Sequence, residues 1–275
     1  MVGVCPAAGE DLSRDLRAAP AYTDSFGFEW TRFARTQLDS ANGTHRSRDA
    51  FVEKTGWDLH DLGGKRVLDA GCGMGRFAEV CAEAGAEVHA VDLSDAVLSA
   101  QANLGHRPNV HVYRADIMKL PFKLATFDYI YSIGVLHHTP DTRRAFMRLV
   151  PLLRPGGRIA IWVYSTRLRI MFGGRILRLI TPHVPKRTLL ALCRIAIPLY
   201  AIHRLPRLGT LTALALPTSL DPDPEWRWLD TFDWYSPKYQ WKHTYEEVLG
   251  WFEDAGLVDV VARPFPISVG GRRAS

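Results

Sequence analysis

A chain of 275 residues, 47% apolar and 23% charged, has enough apolar material for a sizeable core and falls outside the disordered and fibrous classes. Its four cysteines, Cys5, Cys72, Cys81 and Cys193, lack the spacing of a zinc site or a disulfide framework, and no uncharged apolar run reaches the ~20 residues that span a bilayer. The net charge of +5 conceals an asymmetry: residues 142–220 hold 14 Arg and Lys and no Asp or Glu, so that segment either meets an anionic partner or is a solvated basic face.

Residues 1–20 carry acids early and no apolar stretch of signal-peptide length. They are expected to be a disordered lead-in to a cytoplasmic protein. Residues 21–62 read as a helical amino-terminal cap with clustered aromatics, Tyr22, Phe26, Phe28, Trp30 and Phe33. Strand and helix signals then alternate. Arg66–Asp69 is a short apolar strand entering a glycine turn, and 76–84 has helical periodicity ending at Gly85. Strands follow at 87–92, 110–114, 127–132 and 158–164, with Ser94 placed to cap the helix after the second. A helix fits 141–153, and Arg154-Pro155-Gly156-Gly157 is a turn. This alternation implies a mostly parallel sheet with helices on both faces. The run Ile159-Ala160-Ile161-Trp162-Val163 has the unbroken apolar character of a strand buried on both sides.

The pattern breaks over 165–242, a basic, proline-punctuated and then aromatic stretch. It resumes at 243, where Thr244 and Glu247 have capping-box spacing and Gly256 stops the helix. Residues 258–262 and 267–269 are expected to form a final antiparallel pair. The domain reading is therefore a core of 63–164 with 243–275, interrupted by an insertion at 165–242.

Ligands of open α/β sheets sit beyond the carboxyl ends of the strands. Three features fall there: the turn Gly71-Cys72-Gly73-Met74-Gly75, Asp92 ending the second strand, and Asp116-Ile117 after the third. Glycines let a backbone approach a ligand closely, and a carboxylate at 92 can accept both ribose hydroxyls of an adenosine. The dinucleotide fingerprint needs Gly-x-Gly-x-x-Gly. Here the glycines stand at 71, 73 and 75 and Arg76 follows, which opposes tight pyrophosphate packing. Asp69 ahead of the turn also suits a cationic ligand better than a pyrophosphate.

Val67-Leu68-Asp69-Ala70-Gly71-Cys72-Gly73-Met74-Gly75 resembles the first motif of class I S-adenosylmethionine-dependent methyltransferases, and Val91-Asp92-Leu93-Ser94 resembles their second. Asp116-Ile117…Leu120-Pro121-Phe122, Phe127-Asp128-Tyr129-Ile130 and Leu153-Arg154-Pro155-Gly156-Gly157 match the later ones. The resemblance covers about 60–165, is similar to the branch that includes quinone-biosynthesis enzymes, and implies a Rossmann-like sheet with its last strand antiparallel and a helical insertion after the fifth. It implies S-adenosyl-L-methionine as cofactor. Asp69 and the backbone at Gly71 would hold the methionine end, with Gly73 and Gly75 completing the turn. Asp92 would bind the ribose, Leu93 and Ile117 would sandwich the adenine, and Asp116 would accept from its amine. The backbone near Ser132 and Gly134 would line the methionine moiety. No metal is expected.

A sulfonium methyl is already activated, so positioning and desolvation supply much of the acceleration. A base is needed only where the acceptor must lose a proton. His138, then His137, are the candidates, since imidazole titrates near ~6.5; the bland alternative is that both pack or cap the next helix. Absence of an Asn/Asp-Pro-Pro-aromatic motif and of a Pro-Cys nucleophile disfavours nucleic acid and favours a small-molecule or lipid-like acceptor. Trp30 of the cap, with Tyr235, Tyr239, Gln240 and His243 of the aromatic segment, are the substrate-contact candidates, while Trp226, Trp228 and Trp234 read as anchors. The basic helices expected over 165–210 form a lid, with a candidate contact to an anionic membrane surface at the inner face. Two other readings stay open: a cofactor-binding scaffold, and a non-methylating, cyclase-like enzyme on the same fold.

Overall fold

The computed structural model describes residues 21–166 and 172–275. Its seven strands, β1 (Arg66–Ala70), β2 (Glu87–Asp92), β3 (Val110–Arg114), β4 (Phe127–Ile133), β5 (Leu153–Trp162), β6 (Leu257–Arg263) and β7 (Ser268–Arg273), form one sheet in the order β3-β2-β1-β4-β5-β7-β6. All neighbours among β1–β5 are parallel, and β7 runs antiparallel to both β5 and β6. The order reverses between β1 and β4, so the carboxyl ends of β1, β2 and β4 surround a crevice.

Buried parallel strands need apolar faces on both sides, and the sequence provides them. Val67, Leu68, Val88, Ala90, Ile130 and Ile159 are fully buried. One face is covered by α3 (Arg46–Thr55), α4 (Arg76–Glu83) and α5 (Ala96–Leu104), packing Phe51, Cys81 and Val97 against Val67 and Val88. The other is covered by α6 (Thr142–Leu149) and α12 (Tyr245–Asp254), packing Phe146 and Phe252 against Leu68 and Ile159. The stretch 21–62 therefore divides in two. Phe51 of α3 belongs to the core of the sheet, while α1 (Asp24–Arg32) and α2 (Asp39–Asn42) lie ahead of it, with Gly27 of α1 resting on the start of α5.

Local chemistry explains most element ends. Thr244 accepts from the backbone N–H of Glu247 at 3.2 Å and opens α12, and Gly256 follows that helix at φ +67°. Ser94 departs from its expected role. Asp95 occupies the position before α5, and the Ser94 hydroxyl donates to Asp92 at 2.7 Å while accepting from the Ala96 N–H. The Arg154–Gly157 turn lies inside β5, where the pairing with β4 slips between Phe127 and Tyr129; Gly157 rests against the Asp128 carbonyl, which leaves little room for a side chain.

Between β5 and α12 the chain forms α7 (Phe172–Leu177), α8 (Lys186–Cys193), α9 (Ala196–His203), α10 (Leu208–Ala215) and α11 (Pro224–Tyr235). It leaves and returns through one parallel bridge, Ser165 to His243. The aromatic stretch, for which the sequence predicts no element, is half taken up by α11. Asp223 accepts from the Trp226 N–H at 2.8 Å and Pro224 fills the first turn, a standard helix start. Its buried side, Leu229, Phe232 and Tyr235, packs with Phe33, Leu189 and Leu190 into a third core. Trp228 meets Phe33 edge-on at 5.3 Å, which confines Phe33 to packing. The lead-in 1–20 and part of the helix expected over 168–179 lie outside the described residues.

Candidate functional site

The crevice beside β1, β2 and β4 opens into a cavity of about 880 Å³, ample for a nucleoside-sized ligand and a second small molecule. Gly71, Gly73, Asp92, Leu93, Asp116, Ile117, Gly134, His138, Trp30, Tyr235 and Gln240, drawn from segments up to about 200 residues apart, line that one cavity.

The glycine turn is built for close approach. Gly71 has φ +99° and Gly73 φ +54°. A Cβ on Gly71 would meet the Val135 methyls at 2.4 Å, and one on Gly73 would lie 3.2 Å from the Trp30 indole nitrogen. Gly75 serves packing instead. It precedes α4 at φ +97°, and a Cβ there would strike Leu104 of α5 at 2.7 Å. Asp92 holds this turn. One carboxylate oxygen accepts from the Gly73 N–H at 3.0 Å, and the other from the Ser94 N–H at 2.8 Å. Asp116 accepts from the Met118 N–H at 2.9 Å, which orients its carboxylate at the cavity wall beside Ile117.

Several expected contacts lie elsewhere. Asp69 is 2% exposed, one of its oxygens lacks a hydrogen-bond partner, and it is not among the lining residues. Burial pushes its carboxyl up to about 8, against a lowering by the adjacent Tyr131 phenol. Ser132 also lies behind the wall: its hydroxyl donates to the Ala70 carbonyl at 2.7 Å and ties β4 to β1. His137 is sealed between Tyr164, stacked at 3.9 Å, and His138, and burial holds it well below its ordinary value. His243 Nε2 hydrogen-bonds Thr142 at 3.1 Å and its Nδ1 lies 3.0 Å from a Glu247 carboxylate oxygen, so it bridges α6 and α12 and leaves the cavity. Tyr239 stacks on Trp241 and meets Tyr22 edge-on behind the lining residues. Tyr235 reaches the cavity, but its hydroxyl donates to the Pro217 carbonyl at 2.7 Å.

His138 faces the cavity with Phe26 at 4.9 Å. Its Nδ1 lies 2.8 Å from the Tyr239 carbonyl. A carbonyl only accepts, so Nδ1 donates and Nε2 carries the lone pair of the neutral ring. Burial lowers its pKa, keeping that ring neutral.

Sequence reasoning missed the acidic side of the cavity. Glu29 of α1 and Asp230 and Asp233 of α11 all line it. Glu29 is 0% exposed, and among the described residues neither of its carboxylate oxygens has a partner. Burial, then the nearby Asp233 and Asp230, raises its pKa well above the usual range. Asp230 is pushed up to about 7, chiefly by burial. Asp233 accepts from the Tyr164 hydroxyl at 2.9 Å. Arg178, in the segment read as meeting an anionic partner or forming a solvated face, does neither: it donates to the Trp234 and Pro237 carbonyls, each at 2.9 Å. Away from the cavity, β2–β3 pairing brings Glu87, His89 and His111 together with ligand atoms within 4.8 Å, a juxtaposition the sequence spacing did not reveal.

A methyltransferase-domain family model matches residues 68–161. An uncharacterized methyltransferase of Mycobacterium tuberculosis is 41% identical over 106 residues, 38% of this chain and 53% of that protein. The ubiquinone biosynthesis O-methyltransferase of Coxiella burnetii is 35% identical over 100 residues, 36% of this chain and 43% of that one. The matches thus span about half the length of these relatives. Human N-acetylserotonin methyltransferase, solved in complex with S-adenosylmethionine, shares the fold over 98% of this chain and 61% of its own, with a TM-score of 0.52 and 16% identity. Over residues 68–161 the sheet order and the glycine turn thus accompany a similarity to a methyltransferase domain. Among the described residues, no helix is long and apolar enough to cross a membrane.

Proposed function

We propose that this chain transfers a methyl group from S-adenosylmethionine to oxygen, nitrogen or carbon of a small or lipophilic metabolite. The observation that carries this reading is the single cavity shared by the glycine turn, Asp92, His138 and the aromatic insertion. The cofactor supplies an electrophilic methyl on a sulfonium. The Gly71 and Gly73 backbone receives its methionine end, the buried Asp69 carboxyl backs the turn from inside the core, and Gly134 forms the facing wall. Asp92 accepts the ribose hydroxyls, Leu93 and Ile117 flank the adenine, and Asp116 accepts its amine. His138 Nε2 takes a proton from an acceptor that must lose one; His137, fully enclosed, supports His138 by packing. Gln240 and Trp30 contact the acceptor or close the site above the turn. Isothermal calorimetry should register uptake of both S-adenosylmethionine and S-adenosylhomocysteine, and methyl-labelled cofactor should pass label to an acceptor. Uptake with no label transfer to any acceptor would favour a scaffold or a cyclase-like enzyme; no uptake would remove the whole reading.

The insertion supports a lipophilic setting for that metabolite. Leu179, Ile180, Leu192, Ile195, Leu205, Leu208 and Leu211 of the α7–α10 region are exposed, Leu179 by 74%. Arg187, Arg194, Arg204 and Arg207 are exposed beside them, and no acid occurs between 142 and 220. An apolar surface ringed by arginines complements an anionic bilayer interface. Vesicles containing phosphatidylserine should sediment the protein at low salt and release it at high salt. Equal partition to neutral and anionic vesicles would count against this membrane contact.

A further inference from the structure

Charge in the cavity is unevenly satisfied. Among the described residues, four cations line it: Arg46 pairs with Asp221, Arg76 donates to Ser47 at 2.9 Å and to Gln37 at 3.3 Å and feels the charge of Asp230, Lys54 sits over the Phe265 ring at 4.3 Å, and Lys242 stands on the same wall. Among the acids, Asp230 accepts from Ser219 at 3.1 Å and Asp233 from Tyr164. Glu29, fully enclosed and facing the cavity, has no partner for either oxygen among the described residues. A buried carboxylate without a partner is costly, and costlier with two like charges near it. A cation entering the cavity relieves that cost. Aromatic rings, Phe26, Trp30, Tyr164 and Trp234, line the same cavity, and ring faces attract alkylammonium groups.

Resting on the methyl-transfer reading above, we propose that Glu29, Asp230 and Asp233, enclosed by these rings, form the acceptor subsite and select a primary or secondary ammonium. A phosphate, carboxylate or phenolate would bring further negative charge beside these acids; a neutral alcohol could offer Glu29 one hydrogen bond but no positive charge. For an ammonium acceptor one carboxylate, in place of His138, takes the proton, giving a carboxylic acid and a neutral amine. The nitrogen lone pair then forms the new N–C bond as the C–S bond breaks, and the departing electron pair stays on sulfur. The products are an N-methylated ammonium and neutral S-adenosylhomocysteine.

The test uses the full chain saturated with S-adenosylhomocysteine and three isosteric probes, n-hexylamine, n-hexanol and hexanoate, titrated by calorimetry. Hexylamine should bind at least about tenfold more tightly than hexanol, the scale of one buried charge pairing, and hexanoate should give no binding heat. Glu29→Gln and Asp233→Asn should each reduce hexylamine affinity about tenfold while leaving S-adenosylhomocysteine affinity unchanged. The ranking of probes on the unaltered protein needs no variant to fold. Hexanol or hexanoate binding as tightly as hexylamine overturns the proposal, as does an undiminished amine preference in both folded variants. Failure to bind S-adenosylhomocysteine with the amine preference intact would instead sink methyl transfer and leave the ammonium site standing.

Discussion

Replacing Asp92 with alanine is expected to weaken S-adenosylhomocysteine binding about 100-fold, or ~2.7 kcal/mol. Two effects add. The carboxylate is placed to accept hydrogen bonds from the ribose, and such bonds to a charged group contribute ~1.5–3 kcal/mol each. It also holds the Gly73 and Ser94 N–H groups at 3.0 and 2.8 Å, so its loss frees the turn that would receive the rest of the ligand. Asp92→Asn keeps one acceptor oxygen and loses the charge, so its affinity should fall between the two. Calorimetry on variants whose melts remain cooperative gives the comparison. An alanine variant within about threefold of the parent would show that this carboxylate belongs to the turn alone.

That half of the site was legible because its information is local. A parallel strand buried on both faces must read as an apolar run, and a turn that admits a ligand must be short of side chains; both are visible within 67–92. The acidic half was not. Glu29 and Asp233 stand about 200 residues apart in sequence, and only the docking of α1 on α11 gives them a common cavity. α11 itself was obscured by its aromatic density, although Asp223-Pro224 marks its start and Trp226, Leu229 and Phe232 recur at helical spacing. His243 and Ser132 misled for another reason. A polar side chain in an aromatic segment or at a strand end looks like a ligand contact in sequence, but here one bridges two helices and the other ties two strands. Asp69 lies at the predicted strand end yet points into the core, a choice of strand face that the glycine turn does not disclose.

Those buried acids set an unusual pH response. The cofactor-free protein is expected to lose stability as pH rises from about 6.5 to 8. Asp69, raised from 3.8 to about 8, and Asp230, raised from 3.8 to about 7, keep protons in the folded state that the unfolded chain has already released. Glu29 shifts in the same direction. Stability falls with pH wherever the native state binds more protons, by ~1.4 kcal/mol per pH unit for each. Between one and three such protons therefore remove on the order of 3 kcal/mol across the window, several degrees of melting temperature for a chain of this size. Other groups act outside it. His89, lowered to about 4, and His137 and His138, also lowered, make stability rise with pH mainly below ~6.5, where an unfolded imidazole titrates. Lys54 and Lys242, lowered from 10.5 to about 8, make it rise again above about 8. Thermal melts at fixed ionic strength from pH 6.5 to 8 should trace the decline, and Asp69→Asn and Glu29→Gln should each flatten it. A melting temperature that stays level or climbs across that range would mean the carboxyls are ionised in the folded protein, with cations or water reaching them.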